Sequence, residues 1–337
     1  MVRCSFPYLL IKRIDGSAFF IMYKIPQADL KDFISEDPKQ KSSFVEHVGT
    51  AFRKIGFLAL KGHFLDESLQ KSLYDEMKLF FNLPQEIKKS YEVKNGGGQR
   101  GYTCFGKEHA AGRSVGDLKE FWHFGQDLDF KTNLKNVYPK NLVVKELDNF
   151  NKIGGLVFLK LEKTAKYVLK ALALYLSLEE NYFDHFIEGG NSILRAIHYP
   201  PITKPPNQAE RAAPHGDINL ITLLVGAQGN GLQVLNREKK WIDAAAEPDE
   251  VMINIGDMLS RLTNNFLPST IHRVINPPKE SWCNSRYSFP FFMHPIPEMP
   301  LNCLSQNISS SNPKKYEDIT AGEFLNKRLI DLGLIKK

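Results

Sequence analysis

The chain has 337 residues, of which 42% are hydrophobic and 24% are charged, with a formal net charge of +6. This size suits one large globular unit or two small ones, with enough core to be stable without disulfides. No apolar run of about 18 residues predicts a membrane span, and no basic block interleaved with aromatics predicts nucleic-acid binding. The four cysteines have no paired spacing, which indicates reduced thiols in a cytoplasmic protein.

The first 21 residues do not have the pattern of the rest of the chain. Basic residues flank short apolar runs there, but no apolar segment is followed by a small-residue cleavage site. The segment that starts at Met22 looks like a natural beginning. We therefore interpret residues 1–22 as a leader or an upstream extension, and the chain from residue 23 onward as one structural unit.

The segment up to residue 190 is predicted to be mainly helical. Ser43 and Glu46 have the spacing of a capping box, and apolar residues recur at helical intervals after them. A strand is predicted over residues 56–60, and further amphipathic helices over residues 69–80 and 157–176. Residues 95–126 are rich in glycine without any period, and loops of this kind often carry function.

Beyond residue 190, short segments rich in β-branched and aromatic residues alternate with Gly, Pro and Asn turns, as is typical of strands. The predicted strands cover residues 193–199, 218–225, 232–235, 251–255, 271–275 and 287–293. Helices first and strands later predict an α+β fold with a mainly β core, in which a helical layer flanks a double-sheet barrel or jelly roll. Thr320 and Glu323 are expected to cap a final helix over residues 321–332.

His215 and Asp217 form the first candidate site. They are one residue apart at the start of the apolar run 218–224, and side chains i and i+2 of a strand share a face. A carboxylate there is costly to bury unless a cation or hydrogen-bond donors meet it. His272 is the best candidate for a third ligand. Two histidines and one carboxylate with open positions are typical of non-haem Fe(II) oxygenases, so we predict that these three residues form a catalytic iron site.

Arg286 and Ser288 form the second candidate site. They open the last predicted strand, fourteen and sixteen residues after His272, and share one face of it. A guanidinium group offers two parallel donors to a carboxylate, and the hydroxyl group adds a third. This pair therefore predicts a carboxylate-binding site near the metal.

Motifs along most of the chain carry a resemblance to a known family. The motifs HGDINLITLL, GLQVL, INIGDMLSRLTNN, STIHRV and RYSFPFF, together with the earlier IGFLALKGH, FFNLPQEIKKSYE, QRGY and HYPP, occur in the family's order. From about Tyr23 to the C-terminus the chain resembles the isopenicillin N synthase-like branch of the Fe(II)/2-oxoglutarate oxygenases. One departure is Gly216, where relatives often carry a bulkier residue between the two ligands.

The resemblance implies a double-stranded β-helix, or jelly roll, that holds one Fe(II) through His215, Asp217 and His272. It implies that Arg286 and Ser288 bind the distal carboxylate of 2-oxoglutarate, with Tyr199 beside it, and that O2 is the second co-substrate. On this basis residues 23–190 form a helical and mixed part, residues 191–300 the jelly-roll core, and residues 301–337 a tail and helix.

The activity implied by the resemblance is oxidation of an unactivated C–H bond, with release of succinate and CO2. Hydroxylation, desaturation and oxidative ring closure all remain open. Arg100, Lys119 and His198 are the candidate substrate residues, and their positive character favours a small anionic substrate. We expect no nucleic-acid or membrane partner, and a monomer or weak homodimer.

Two alternatives stay open at this point. An oxidase like isopenicillin N synthase carries the same Arg-X-Ser motif but takes its electrons from the substrate and needs no 2-oxoglutarate. A metal- or ligand-binding jelly roll without catalysis belongs to a different class. The presence of all three candidate ligands together with the Arg286 and Ser288 pair argues against a site that has lost its activity.

Overall fold

The computed structural model describes residues 25–93, 99–109, 115–126, 138–225 and 231–331, and the backbone of two strands nearer the N-terminus. These two strands, β1 (Leu9–Ile14) and β2 (Ala18–Tyr23), pair antiparallel with each other. Apart from Tyr23, both strands lie within the segment interpreted as a leader or an upstream extension, whose remaining residues, 1–8 and 15–17, fall outside the described part. Residues 94–98 and 110–114 of the predicted glycine-rich loop also fall outside it, as does Leu332 of the predicted final helix.

The helices of the described chain form one layer and several short connections. They are α1 (Leu30–Ile34), α2 (Pro38–Ile55), α3 (Glu67–Phe81), α4 (Gln85–Ser90), α5 (Phe150–Tyr175), α6 (Asp184–Ile187), α7 (Asp257–Leu262) and α8 (Ala321–Asp331). Within the described residues, no helix combines the length and the apolar character needed to cross a membrane.

The helix starts test the two predicted capping boxes. Helix α2 starts at Pro38, and the carboxylate of Asp37 accepts a hydrogen bond from the backbone N–H of Lys39. The box predicted at Ser43 and Glu46 is therefore wrong, because both residues lie inside the helix. Before α8 the box is confirmed: Thr320 Oγ1 accepts from the Glu323 N–H at 3.3 Å, and Glu323 Oε2 accepts from the Thr320 N–H at 2.9 Å.

The remaining strands form two sheets. They are β3 (Gln27–Asp29), β4 (Phe57–Lys61), β5 (Gly101–Thr103), β6 (Glu120–Gly125), β7 (Ile193–Tyr199), β8 (Ala212–His215), β9 (Ile221–Val225), β10 (Leu232–Leu235), β11 (Trp241–Asp243), β12 (Val251–Ile255), β13 (His272–Val274) and β14 (Arg286–Met293). The major sheet has the order β3-β4-β12-β9-β14-β7-β6-β5, and the minor sheet has the order β11-β10-β13-β8. Strands from before and after residue 190 therefore share the major sheet.

The two sheets enclose one core, and the helices cover the other face of the major sheet. On the helical side, the ring of Tyr74 from α3 lies 4.6 Å from that of Phe289, and Phe158 of α5 lies 5.1 Å from Phe291. Between the sheets a second cluster buries Ala59, Val234, Met252 and Val274, with others. Two facing sheets with a helical layer confirm the predicted α+β jelly roll.

The turn between β8 and β9 differs from the prediction of one strand over residues 218–225. Strand β8 ends at His215 in the minor sheet, and β9 starts only at Ile221 in the major sheet. Asp217 lies in the connection between them, where its backbone C=O accepts from the N–H of Asp257 at 2.7 Å. His215 and Asp217 therefore meet at a corner between the sheets and not along one strand.

Candidate metal centre and substrate cavity

Three predicted ligands converge at this corner. One ligand atom from each of His215, Asp217 and His272 lies within 4.8 Å of the other two. Asp217 Oδ1 is 3.9 Å from His215 Nε2 and 3.7 Å from His272 Nε2. His272 reaches the corner because β13 pairs with β8, which places it directly opposite His215.

Backbone contacts orient the two imidazole rings. His215 Nδ1 is 2.7 Å from the carbonyl oxygen of Ala213, and His272 Nδ1 is 3.2 Å from that of Thr270. A carbonyl oxygen only accepts, so each Nδ1 carries the proton and each Nε2 keeps its lone pair free. This is the tautomer that a metal-ligating histidine needs.

Hydrogen bonds also orient the carboxylate. Asp217 Oδ2 accepts from Thr222 Oγ1 and from Asn254 Nδ2, each at 2.7 Å. Burial alone would raise the pKa of Asp217, but the two histidines and these two donors outweigh it and lower that pKa. Burial lowers the pKa of His215 to about 4, helped by His272. At neutral pH the imidazole of His215 is thus neutral and the carboxylate of Asp217 is ionised.

Arg286 and Ser288 are both buried on β14, as is Tyr199 on β7. Arg286 pairs with Tyr199 across the two strands, and its guanidinium lies 5.0 Å from the centre of the Tyr199 ring. None of the three guanidinium nitrogens has a hydrogen-bond partner among the residues that the structure describes. A buried cation without partners is costly, so this group is suited to bind an anion.

A cavity of about 330 Å³ opens beside His215 and Asp217. Its apolar wall includes Phe121, Phe292 and, from α8, Leu325 and Leu329. This volume lies at the small end of the range for ligand pockets. The candidate metal centre therefore faces a space for a small molecule, with the C-terminal helix as part of its wall.

The charged groups of this cavity are already paired. Arg195 forms a two-pronged ion pair with Glu108 at 3.0 and 3.1 Å. Lys119 Nζ lies 2.8 Å from both Glu108 Oε1 and Asp117 Oδ2. Burial would lower the pKa of Lys119, but these two carboxylates raise it. Lys119 thus lies in the cavity wall, as expected of a substrate residue, but its charge is neutralised by protein groups.

Arg100 does not line the cavity; it is buried behind the wall, against Gly125. Its Nη2 donates to Asn191 Oδ1 at 2.8 Å, and Asn191 Nδ2 donates to Gln99 Oε1 at 2.6 Å. Asn191 and Gln99 do line the cavity. The direct substrate contact predicted for Arg100 is thus corrected: the arginine orients an amide pair that faces the cavity.

His198 needs a larger correction. Along β7 the cavity residues are Ile193 and Arg195, and His198 points to the opposite face of the sheet. There its Nδ1 is 2.8 Å from Glu120 Oε1, its Nε2 is 3.0 Å from Ser285 Oγ, and its ring stacks on Tyr287. His198 belongs to a buried polar network under the helical layer and not to the substrate cavity.

The comparison with known proteins identifies the family. Residues 25–146 match the model of the non-haem dioxygenase in morphine synthesis N-terminal region, and residues 190–295 match that of the 2OG-Fe(II) oxygenase superfamily. A 2-oxoglutarate-Fe(II) type oxidoreductase of Aspergillus fumigatus is 32% identical over 311 residues, which cover 88% of this chain and 90% of the relative.

Solved structures support the same family assignment. A protein of Caulobacter crescentus assigned to the 2OG-Fe(II) oxygenase family is 42% identical with a TM-score of 0.81, over 90% of this chain and 98% of that one. A full-length Neurospora crassa protein in complex with alpha-KG and thymine is 28% identical with a TM-score of 0.80, over 90% and 96%. The chain belongs to the Fe(II)/2-oxoglutarate-dependent oxygenases, in their isopenicillin N synthase-like branch. It is a non-haem dioxygenase that uses Fe(II), 2-oxoglutarate and O2.

Proposed function

We propose that His215, Asp217 and His272 hold the iron, that Arg286, Ser288 and Tyr199 bind the distal carboxylate of 2-oxoglutarate, and that the enzyme oxidises a C–H bond of a small neutral substrate in the adjoining cavity. The convergence of two Nε2 atoms and one carboxylate oxygen at the cavity edge carries this proposal. Hydroxylation, desaturation and ring closure are the outcomes open to that oxidation.

The residues present fit both Fe(II) and 2-oxoglutarate. All six of the side-chain nitrogen and oxygen atoms at the candidate metal centre are accounted for: Nδ1 of each histidine and Oδ2 of Asp217 are committed to the protein, and the other three converge. Two imidazoles and a carboxylate are ligands that Fe(II) accepts in this arrangement. Arg286 is buried, its three guanidinium nitrogens have no partner within the described ranges, and it therefore fits a carboxylate.

The residues of the chain contribute positioning and exclusion of water. Bound Fe(II) with its 2-oxo acid supplies the activation of O2 for attack on an unactivated C–H bond. Thr222 and Asn254 bind Oδ2 of Asp217, which would leave Oδ1 to hold Fe(II). Phe121, Phe292 and the leucines of α8 keep the reacting carbon in an apolar environment and exclude water from it.

The proposed substrate is neutral, in place of the anionic molecule expected from the sequence. Glu108 and Asp117 neutralise Arg195 and Lys119, and Arg328 of the cavity wall lies 3.6 Å from Asp257. The remaining polar wall includes neutral groups: the amides of Gln99 and Asn191, and buried His294, whose Nδ1 has no hydrogen-bond partner in the described part of the chain. Such groups suit an amide, lactam or imide. The Neurospora crassa relative, crystallised with thymine, supports this choice because thymine is a neutral cyclic imide.

The iron and co-substrate assignment is tested by anaerobic titration with Fe(II) and then 2-oxoglutarate. A weak visible absorption band is expected when a 2-oxo acid chelates the iron. The band should be absent in His272→Ala and need much more 2-oxoglutarate in Arg286→Gln. Iron binding without a band in the wild type would instead favour the oxidase alternative, and no iron binding would favour the non-catalytic jelly roll.

The substrate assignment is tested with pairs of probes that share a ring and differ in charge. Thymine and 5-carboxyuracil differ by a methyl and a carboxylate group, and pyrrolidin-2-one and pyroglutamate differ by a carboxylate. Binding to the anaerobic protein loaded with Fe(II) and 2-oxoglutarate is followed by NMR, and products in air by mass. The neutral member of each pair should bind more tightly; tighter binding of the anions would contradict the proposal.

A further inference from the structure

A second buried arginine lies beside the proposed 2-oxoglutarate site. Arg211 is only 4% exposed, and its guanidinium lies 5.8 Å from the centre of the Tyr199 ring. The guanidinium of Arg286 lies 5.0 Å from the centre of the same ring. Two cationic side chains, one just before β8 and one on β14, thus share one tyrosine.

The protein satisfies little of the hydrogen-bonding capacity of this arginine. Arg211 Nη2 donates to the backbone carbonyl of Asn284 at 3.1 Å, and Nε has no partner among the described residues. Burial, with repulsion from Arg286, lowers the pKa of Arg211 to about 10. The group still remains protonated at neutral pH.

Neither arginine forms an ion pair with a carboxylate of the described chain. The pKa of Arg211 is set by burial, Arg286 and Tyr199, and the three nitrogens of Arg286 lack hydrogen-bond partners among the described residues. This differs from the substrate cavity, where Glu108 and Asp117 neutralise the cations. Two buried like charges repel each other and are both desolvated, so the arrangement is stabilised when an anion binds.

We propose that Arg211 is a second cationic group for the distal carboxylate of 2-oxoglutarate, acting with Arg286 beside the ring of Tyr199 and selecting 2-oxo acids that carry a second carboxylate. The proposal rests on the proposed role of Arg286 and adds a positioning residue to it. The extra charge favours the fully ionised dicarboxylate over a 2-oxo acid with an alkyl end.

The alternative is that Arg211 only supports the fold, through Asn284 and the ring of Tyr199. Removing a structural residue would weaken the binding of all 2-oxo acids alike and lower the melting temperature of the protein. Removing an electrostatic partner of the distal carboxylate would weaken the binding only of those 2-oxo acids that have this carboxylate. The ratio of two dissociation constants separates these roles and does not depend on the folded fraction of a variant.

The test uses the full chain with Fe(II) under anaerobic conditions, and follows the visible band while 2-oxoglutarate or 2-oxopentanoate is added. The two acids have the same length, but the second lacks the distal carboxylate. In Arg211→Gln the Kd for 2-oxoglutarate should rise by roughly 10-fold or more, as for loss of a buried charge partner, and that for 2-oxopentanoate should change little. Arg211→Lys should be intermediate, since it keeps the charge without the planar fork.

Arg286→Gln is the matched control and should show the same selective loss. Equal weakening of both acids by Arg211→Gln, or no change for either, overturns the role of Arg211 while the wild-type band and the Arg286→Gln result leave the proposed function standing. A wild-type protein that binds Fe(II) but gives no band with 2-oxoglutarate overturns the proposed function and this inference together.

Discussion

Asn254 donates a 2.7 Å hydrogen bond to Oδ2 of Asp217, although the two residues are 37 positions apart in the chain. Asn254 lies in the middle of the major sheet on β12, next to β9, and Asp217 lies in the corner that precedes β9. The sheet register thus fixes the orientation of the carboxylate that we propose as an iron ligand.

The first prediction concerns this orientation. Asn254→Ala should weaken Fe(II) binding by about 10- to 100-fold, as is usual when a partner of a metal ligand is removed. Thr222→Val should act in the same direction, because it removes the other donor to Oδ2, whereas Thr222→Ser keeps the hydroxyl group. Competition with a coloured chelator measures the affinity, and equal affinity of the three variants would contradict the role given to these donors.

The second prediction compares two histidines on opposite faces of the major sheet. His123 lines the cavity and accepts from Arg195 Nε at 2.6 Å, while His198 bonds Glu120 on the helical side. His198→Leu should cost about 1–3 kcal/mol of stability, since it leaves buried polar groups with fewer partners, and should leave the substrate KM unchanged. His123→Leu should raise that KM. A raised KM in His198→Leu would return His198 to the substrate site.

His198 also illustrates what the sequence could have shown. Residues i and i+2 of a strand share a face, so the assignment of Tyr199 to the co-substrate placed Arg195 on the same side and His198 on the other. The start of α2 was likewise visible, since Asp37 and Pro38 are a strong cap and first position. In both cases the sequence contains the correct signal: strand alternation for His198, and the Asp37 and Pro38 pair for the start of α2.

Other features depend on contacts that no local pattern contains. The bounds of β7, β10 and β12 were predicted correctly because these strands are short apolar runs between turns. The neutralisation of Lys119 depends on Glu108, which comes from a neighbouring loop and reaches Lys119 only in the folded chain. Arg211 precedes His215 by four residues, but its approach to Tyr199 requires the two sheets to meet.

The third prediction concerns acid stability. Burial lowers the pKa of His294 from 6.5 to about 4. The unfolded chain therefore takes up a proton on this group below about pH 6.5 that the folded chain takes up only near pH 4, so stability falls as the pH drops through that window. The full difference is about 3 kcal/mol. Urea unfolding at pH 7 and pH 4.5 should show a smaller loss in His294→Asn than in the wild type; equal losses would contradict the prediction.

The last prediction concerns Gly125, which has no side chain and so leaves room for the guanidinium group of Arg100. A Cβ atom at Gly125 would overlap the guanidinium of Arg100, which is buried and bonded to Asn191. Gly125→Ala should displace the arginine at a cost of about 1–3 kcal/mol, and should raise the substrate KM because Asn191 loses its partner, while the affinity for 2-oxoglutarate stays unchanged. Gly155→Ala is the control, since among the described residues no heavy atom beyond the backbone of α5 itself lies within 4 Å of its Cβ position, and it should stabilise the protein by up to about 1 kcal/mol. Thermal unfolding and steady-state kinetics measure both. If Gly125→Ala behaved like Gly155→Ala, Arg100 would have room to move, and its proposed role in orienting the amide pair would be wrong.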